Sequence, residues 1–310
     1  MNFPFYIARR YLFSKKKHNA INIISGISVC GVALATLALV CTLSVFNGFQ
    51  DMVASFFTAF DPQLKITVRE GKVFDGQDKR IGVVCLLPEV DVFTETLEEN
   101  AMVQYKDRQA MVVLKGVEDN FEELTAIDSI LYGAGDFLLH DSIVNYGVMG
   151  GELVATLGTG LQFVDPLQVY LPKRNAKVNM ANPGASFNRD YLYSPGVVFV
   201  VNQQEYDGKY ILTSLDFLRQ LLDYTTEVSA IELKLKPGAN VSSVQAKIEK
   251  ILGNDFIVQN RYQQQADVFR IMEIEKLISY LFLTFILMIA CFNVIGSLSM
   301  LILDKKDDVV

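Results

Sequence analysis

The sequence predicts an α-helical membrane protein: two transmembrane helices with a large mixed α+β domain between them, held outside the membrane. Three observations predict it. First, residues 23–45 and 278–303 are long apolar runs, with no Asp, Glu, Lys or Arg between Asn19 and Gln50 or between Leu277 and Leu303. A hydrocarbon core of roughly 30 Å takes about 20 apolar residues in a helix, so each run is long enough to span it. Second, the leader carries Arg9, Arg10, Lys15, Lys16 and Lys17 and no acid. Basic residues beside a membrane helix stay in the cytoplasm, which places the middle of a two-span chain on the other side. Third, the residues between the runs have the mixed charged and apolar texture of a folded domain.

Residues 1–20 read as a cytoplasmic leader with an interfacial helix over 2–13. Pro4 suits a first helical turn. Phe5, Ala8 and Leu12 share one face, with Arg9 and Lys16 on another, as in a helix lying in the membrane plane. Residues 21–50 form the first transmembrane helix. Small residues recur along it, and Gly31 with Ala35 makes a small-xxx-small pair that lets helices approach closely in lipid. Residues 276–303 form the second, with Asn293 and Gly296 towards its cytoplasmic half. A buried Asn amide needs a partner, so Asn293 predicts a helix–helix contact. Both helices continue past the bilayer in pattern; one from 264 to 303 would be about 60 Å long.

The outer domain, residues 51–275, reads as two lobes of α+β structure. Residues 63–68, 111–114 and 197–201 are short strands. Residues 230–236 alternate, with Ile231, Leu233 and Leu235 on one face and Glu232, Lys234 and Lys236 on the other. Val241, Val244, Ile248 and Ile251 mark an amphipathic helix, and 256–258 another strand; this β-α-β unit suggests a ferredoxin-like lobe. Ser214 is the N-cap of a helix to Leu222. Residues 173–189, with Asn175, Asn179, Asn182, Pro183 and Gly184, form a long loop of the kind that often carries function.

Charge and composition exclude several classes. Setting aside the leader and the residues after Leu303 leaves 21 basic and 32 acidic residues, all between Asp51 and Lys276, a balance of −11. Such a domain has no basic face for nucleic acid. Only Cys85 of the four cysteines lies in it, so it has no internal disulfide. The chain has no P-loop and no zinc spacing. Gly147-Val148-Met149-Gly150-Gly151 does not follow the dinucleotide pattern. His140, Asp141 and Ser142 are adjacent in sequence, which does not make a catalytic triad. Asp61, Glu152 and Asp165 read as turn and cap residues, and Asn240-Val241-Ser242 as a chance glycosylation match.

Several segments resemble one family. Ala8-Arg9-Arg10-Tyr11-Leu12, Ile24-Ser25-Gly26-Ile27-Ser28-Val29-Cys30-Gly31 and Ser44-Val45-Phe46-Asn47-Gly48-Phe49 are similar to the opening of the LolC/LolE permeases of lipoprotein-releasing ABC transporters. Asp61-Pro62 with Ile66, the segment from Gly150 to Arg174 and the segment from Ile295 onwards resemble later parts of it, although Val164-Asp165-Pro166 replaces a Gly-Asp. The resemblance implies a MacB-like head in the periplasm, a bacterial inner-membrane location and four membrane helices, two of them beyond Val310. It implies paired permeases, identical or paralogous, with a separate ABC ATPase holding ATP and Mg; this chain itself needs no cofactor. Lipoprotein would pass from the membrane to a periplasmic carrier, gripped through the loop bearing Met180 and Pro183. Lys305 and Asp307 would begin the ATPase-coupling loop. Phe46, Phe49, Val53, Ile278, Leu281, Phe282 and Phe285 would wall the substrate cavity among membrane lipids. An FtsX- or MacB-like permease driving a cell-wall enzyme or efflux partner, and a two-span receptor, are the alternatives.

Overall fold

A computed structural model describes residues 3, 6, 19–55, 61–125, 127–174 and 186–305. The expected interfacial helix (apart from Phe3 and Tyr6, both helical and exposed), the loop tip with Met180 and Pro183, and Asp307 lie outside the described residues. So do the side chains of Phe49, Val53, Asn293 and Lys305. The chain forms two compact units, one from Met1–Phe56 and Ala266–Val310, the other from Phe57–Gln265.

The first unit is a helix pair. Helix α1 is Asn19–Ser55, and a second helix of 40 residues, Ala266–Lys305, packs along it. Both are long and apolar enough to cross a membrane. Two of their hydroxyls bond within the helix: Thr36 Oγ1 donates to the Val32 carbonyl at 2.9 Å and Thr284 Oγ1 to the Tyr280 carbonyl at 2.8 Å. An unpaired hydroxyl in hydrocarbon would be costly.

The second unit follows the chain as β1 (Leu64–Val68), β2 (Phe74–Asp75), α2 (Lys79–Cys85), β3 (Val90–Tyr105), β4 (Arg108–Val117), α3 (Phe121–Leu124), β5 (Leu131–Gly133), β6 (Val148–Gly150), α4 (Gly151–Leu157), β7 (Leu167–Pro172), β8 (Phe187–Leu192), β9 (Val197–Phe199), α5 (Gln204–Asp207), β10 (Tyr210–Ser214), α6 (Leu215–Leu222), β11 (Glu227–Val228), β12 (Ala230–Leu235), α7 (Val241–Leu252), β13 (Phe256–Asn260) and α8 (Arg261–Gln264). Helix α9 is the Ala266–Lys305 helix already described.

Eleven of the described strands make one sheet in the order β13-β1-β12-β3-β4-β10-β6-β9-β5, with β7 and β8 beside the outer part of β3. Its first four strands are antiparallel neighbours, with Leu64 opposite both Leu233 and Asn260, and Leu233 opposite Phe93. Helix α2 links β1 to β3 and α7 links β12 to β13, each crossing over one intervening strand. That is the split β-α-β order of ferredoxin-like sheets. The rest of the fold is inserted between β3 and β12 and extends the same sheet.

Local chemistry explains the elements. The alternating residues of β12 put Ile231, Leu233 and Leu235 against Val244, Ile248 and Leu252 of α7. Asn240 caps α7 by accepting from Ser243 N at 3.0 Å, which accounts for the apparent glycosylation match as a cap. Ser214 caps α6 by accepting from Phe217 N at 3.2 Å, and α6 buries Leu215, Phe217, Leu218, Leu221 and Leu222. Each such side chain contributes about 1.5–3 kcal/mol when fully buried. The glycine run at 147–151 serves packing: a Cβ on Gly150 would come within 2.3 Å of the Asp207 carbonyl, so β6 meets the α5 segment backbone to backbone only without a side chain there.

Candidate functional site

Chemistry collects at three places: the face of the helix pair, a charged ladder inside the sheet, and the root of the α/β unit. On α9, Ile278, Leu281, Phe282 and Phe285 are 49–63% exposed. Their spacing places them on one stripe of the helix. Phe46 on α1 is half-buried. At the seam of the pair, Ser28, Ala35 and Ala290 are buried. A methyl group added at Gly31 or Gly296 would meet nothing within 4 Å. Within this chain, therefore, Ala35 packs as its small size suggests, while Gly31 and Gly296 present open surface.

The ladder was not visible in the sequence, where Glu232 falls on the polar face of β12. That face is covered. Glu232 is fully buried and its Oε1 accepts from Lys115 Nζ at 2.6 Å; Lys115 is 2% exposed. Lys65 Nζ lies 3.2 Å from Glu98 Oε1 and 3.9 Å from Glu232 Oε1, and Lys115 lies 3.7 Å from Glu98. The register explains the cluster: Lys65 stands directly opposite Glu232, and Glu98 opposite Lys115. Four adjacent strands, β1, β12, β3 and β4, thus each supply one charge, with the carboxylates of the two inner strands flanked by the lysines of the two outer ones. The Phe121 ring covers Lys115 Nζ at 5.5 Å. Burial alone would raise the Glu98 carboxyl, but the charges of Lys65 and Lys115 outweigh it and hold Glu98 at about 2. Burial likewise opposes the charge on Lys65, and Glu98 and Glu232 overcome it to raise that pKa. The sequence signal that could have found the ladder is Lys115 itself, a lone cation at the end of an apolar strand.

At the root, Asp61 is 3% exposed. Its Oδ1 accepts from Tyr206 Oη at 3.3 Å and from Gln265 Nε2 at 3.1 Å, and its carbonyl accepts from Arg261 Nε at 2.9 Å. The Tyr206 ring lies 5.3 Å from that of Tyr210, whose hydroxyl donates to Glu98 at 3.4 Å. Burial pushes both tyrosine hydroxyls well above their ordinary range, helped by the charge of Asp61 at Tyr206 and of Glu98 at Tyr210, so they remain donors. Asp61 thus serves as an acceptor that ties Tyr206 and Gln265 together. Asp165 is exposed and pairs with Lys106 at 3.3 Å, and Glu152 lies in the first turn of α4.

The adjacent His140, Asp141 and Ser142 do not assemble. His140 Nε2 lies 3.0 Å from Asp119 instead. Asp141 is spent on the backbone amides of Ile143 and Val144 at 2.6 and 2.8 Å and on Tyr146 Oη at 2.8 Å, contacts that hold its carboxyl below the usual range. No group of three metal-ligating side chains occurs among the described residues.

The profile of the MacB-like periplasmic core domain matches residues 25–251. The chain belongs to the family of the MacB-like periplasmic core domain. The matched segment starts within α1 and ends in α7, so it takes in most of the α/β unit. Similarity to curated relatives runs further. The lipoprotein-releasing system transmembrane protein LolC of Xylella fastidiosa is 22% identical over 305 residues, which is 98% of this chain and 71% of that protein. The LolE protein of Haemophilus influenzae is 23% identical over 322 residues, 100% of this chain and 73% of its own. Among solved structures, the periplasmic region of MacB from Actinobacillus actinomycetemcomitans superposes with a TM-score of 0.44 at 11% identity, covering 66% of this chain and 91% of that one. Both of these curated relatives are named as transmembrane proteins of a lipoprotein-releasing system.

Proposed function

We propose that this chain is the permease subunit of a mechanotransmission-type ABC transporter that extracts lipoproteins from the bacterial inner membrane. The observation that carries this reading is the whole-length similarity to LolC and LolE across both long helices and the domain between them. In this reading α1 and α9 cross the membrane, with the basic leader and the residues after Leu303 in the cytoplasm. The α/β unit stands in the periplasm as a two-lobed head. A partner ATPase binds ATP and Mg and engages the segment beginning at Lys305 and Asp307. A second permease, identical or paralogous, completes the cavity. Gly31, Asn293 and Gly296 pack against membrane helices outside this pair, which is consistent with the open surface at both glycines.

Phe46, Phe49, Val53, Ile278, Leu281, Phe282 and Phe285 line the acyl-chain cavity. Lipid chains hold on by about 0.8 kcal/mol per buried CH₂, so several chains leave a membrane only when work is supplied. The periplasmic loop with Met180 and Pro183 receives the carrier.

Reconstitution tests this. Full-length protein with its ATPase in proteoliposomes should release a triacylated reporter on ATP addition, and Phe282→Asp should abolish release while ATPase assembly persists. Export of a soluble cargo with no lipidated one would instead favour an efflux permease, and unchanged release by Phe282→Asp would remove that residue from the cavity.

A further inference from the structure

Asp61 is the first described residue of the α/β unit and Gln265 its last, and α9 begins at the next residue. Its last strand, β13, is an edge strand whose only neighbour in the sheet order is β1. Edge strands paired on one side are where sheets open first. A load arriving through the chain beyond Gln265 would therefore act on the terminus of an edge strand and peel it from β1 one hydrogen bond after another.

The side chains at this point oppose peeling. Gln265 Nε2 donates to the Asp61 carboxylate and Arg261 Nε to the Asp61 carbonyl, while Gln264 Nε2 donates to the Pro62 carbonyl at 3.1 Å. Three side chains after β13 thus grip two residues before β1. A capping box of Asn260 and Gln263 turns the chain at the end of β13, and Gln245 of α7 donates to Gln263 Oε1 at 2.8 Å and to the Val258 carbonyl at 2.9 Å. From Asp61 the contacts run inward through Tyr206 and Tyr210 to Glu98 and so to the charged ladder of four strands.

We infer that Asp61 is the centre of a load-bearing clasp that makes both chain connections and the middle of the sheet move as one body. Asp61 is a positioning residue: displacement arriving at either connection is delivered to the whole unit and is not absorbed by opening of β13. The inference rests on the mechanotransmission reading proposed above.

The test uses the full-length permease with its ATPase in proteoliposomes, the triacylated reporter as cargo, and amide hydrogen exchange over residues 61–66 and 256–264. Asp61→Ala should leave ATP hydrolysis within about twofold of the parent while reporter release falls roughly tenfold or more, the split that marks uncoupling of a conformational step. Exchange over 256–264 should rise on ATP addition in the variant and stay flat in the parent. Asp61→Asn, which keeps the side-chain acceptor, should restore release. Should Asp61→Ala fail to assemble, the pair Gln264→Ala and Gln265→Ala, which removes the gripping amides from the other side, carries the same expectation. Parental release and parental exchange in the Ala variants overturns the clasp, as does a loss of release with no ATP-dependent rise in exchange. A parent protein that hydrolyses ATP but releases no reporter overturns the mechanotransmission reading itself.

Discussion

Lys115 shows how a single buried cation organises this sheet. It is covered by Phe121 and held at 2.6 Å from Glu232, a carboxylate with no exposure to solvent. Removing one partner strands the other charge in a low-dielectric interior, which costs about 3–5 kcal/mol, whereas replacing both with apolar groups is often neutral. Lys115→Met should therefore lower the urea midpoint strongly, and Lys115→Met with Glu232→Leu should recover most of the loss; tyrosine fluorescence reports it, since the chain has no tryptophan. Glu98 supplies a pH signature. Its carboxyl sits at about 2 in the folded protein against an ordinary 4.5. A depressed folded value means stabilisation that is complete above the unfolded pKa and disappears as pH falls through the folded one, here on the order of 3 kcal/mol. Urea midpoints measured from pH 6 downwards should hold to about pH 5 and then fall towards pH 2, and Glu98→Gln should flatten that dependence. These groups were hidden in the sequence for a specific reason. A period-two pattern separates the two sides of a strand, but it says nothing about what covers each side. Glu232 therefore reads as solvent-facing until Phe121 and the tyrosines are seen above it.

Elements differed in how openly their residues announced them. The helix over 215–222 was legible from its capping Ser214, and that over 241–252 from the spacing of Val241, Val244, Ile248 and Ile251, whereas Asn240 read as a glycosylation match and not as the cap it is. The 230–235 strand was legible from alternation and the Pro237-Gly238 stop. The longest strand, Val90–Tyr105, was not. Thr96 and Leu97 are both buried, which breaks the alternation, and its hairpin turn is Lys106-Asp107, with Lys106 at φ 51° and no glycine to mark it. The glycine run was legible as unusual but not as to purpose, since the close partner of Gly150 is a backbone carbonyl far along the chain. Its role makes a prediction about the β6–α5 contact. Gly150→Val must push Asp207 away and disturb the bond from Val201 N to Asp207 Oδ1 at 2.8 Å, so the variant should lose about 1–3 kcal/mol of stability by overpacking. Gly48→Val, where nothing lies within 4 Å, is the control and should leave the unfolding midpoint of the α/β unit unchanged.

At the scale of the whole molecule, the sidedness proposed for the chain has a built-in reporter. Cys85 is exposed at the end of α2, while Cys30, Cys41 and Cys291 lie in the two long helices. In intact cells with a permeable outer layer, a membrane-impermeant maleimide should label the protein, and Cys85→Ser should abolish that label. Labelling that appears only after lysis would put the α/β unit in the cytosol and remove the transport reading. The topology carries one more implication. Because strands β1, β3, β12 and β13 close their own ferredoxin-like order, everything from Lys106 to Ser229 is a detour between two neighbouring strands. The chain leaves the base at Tyr105 and returns to it at Ala230, on two strands that pair with each other. Because Lys115 on the detour is the buried partner of Glu232 on the base, the two must fold together: a base trimmed of its detour would keep a carboxylate with its cation gone.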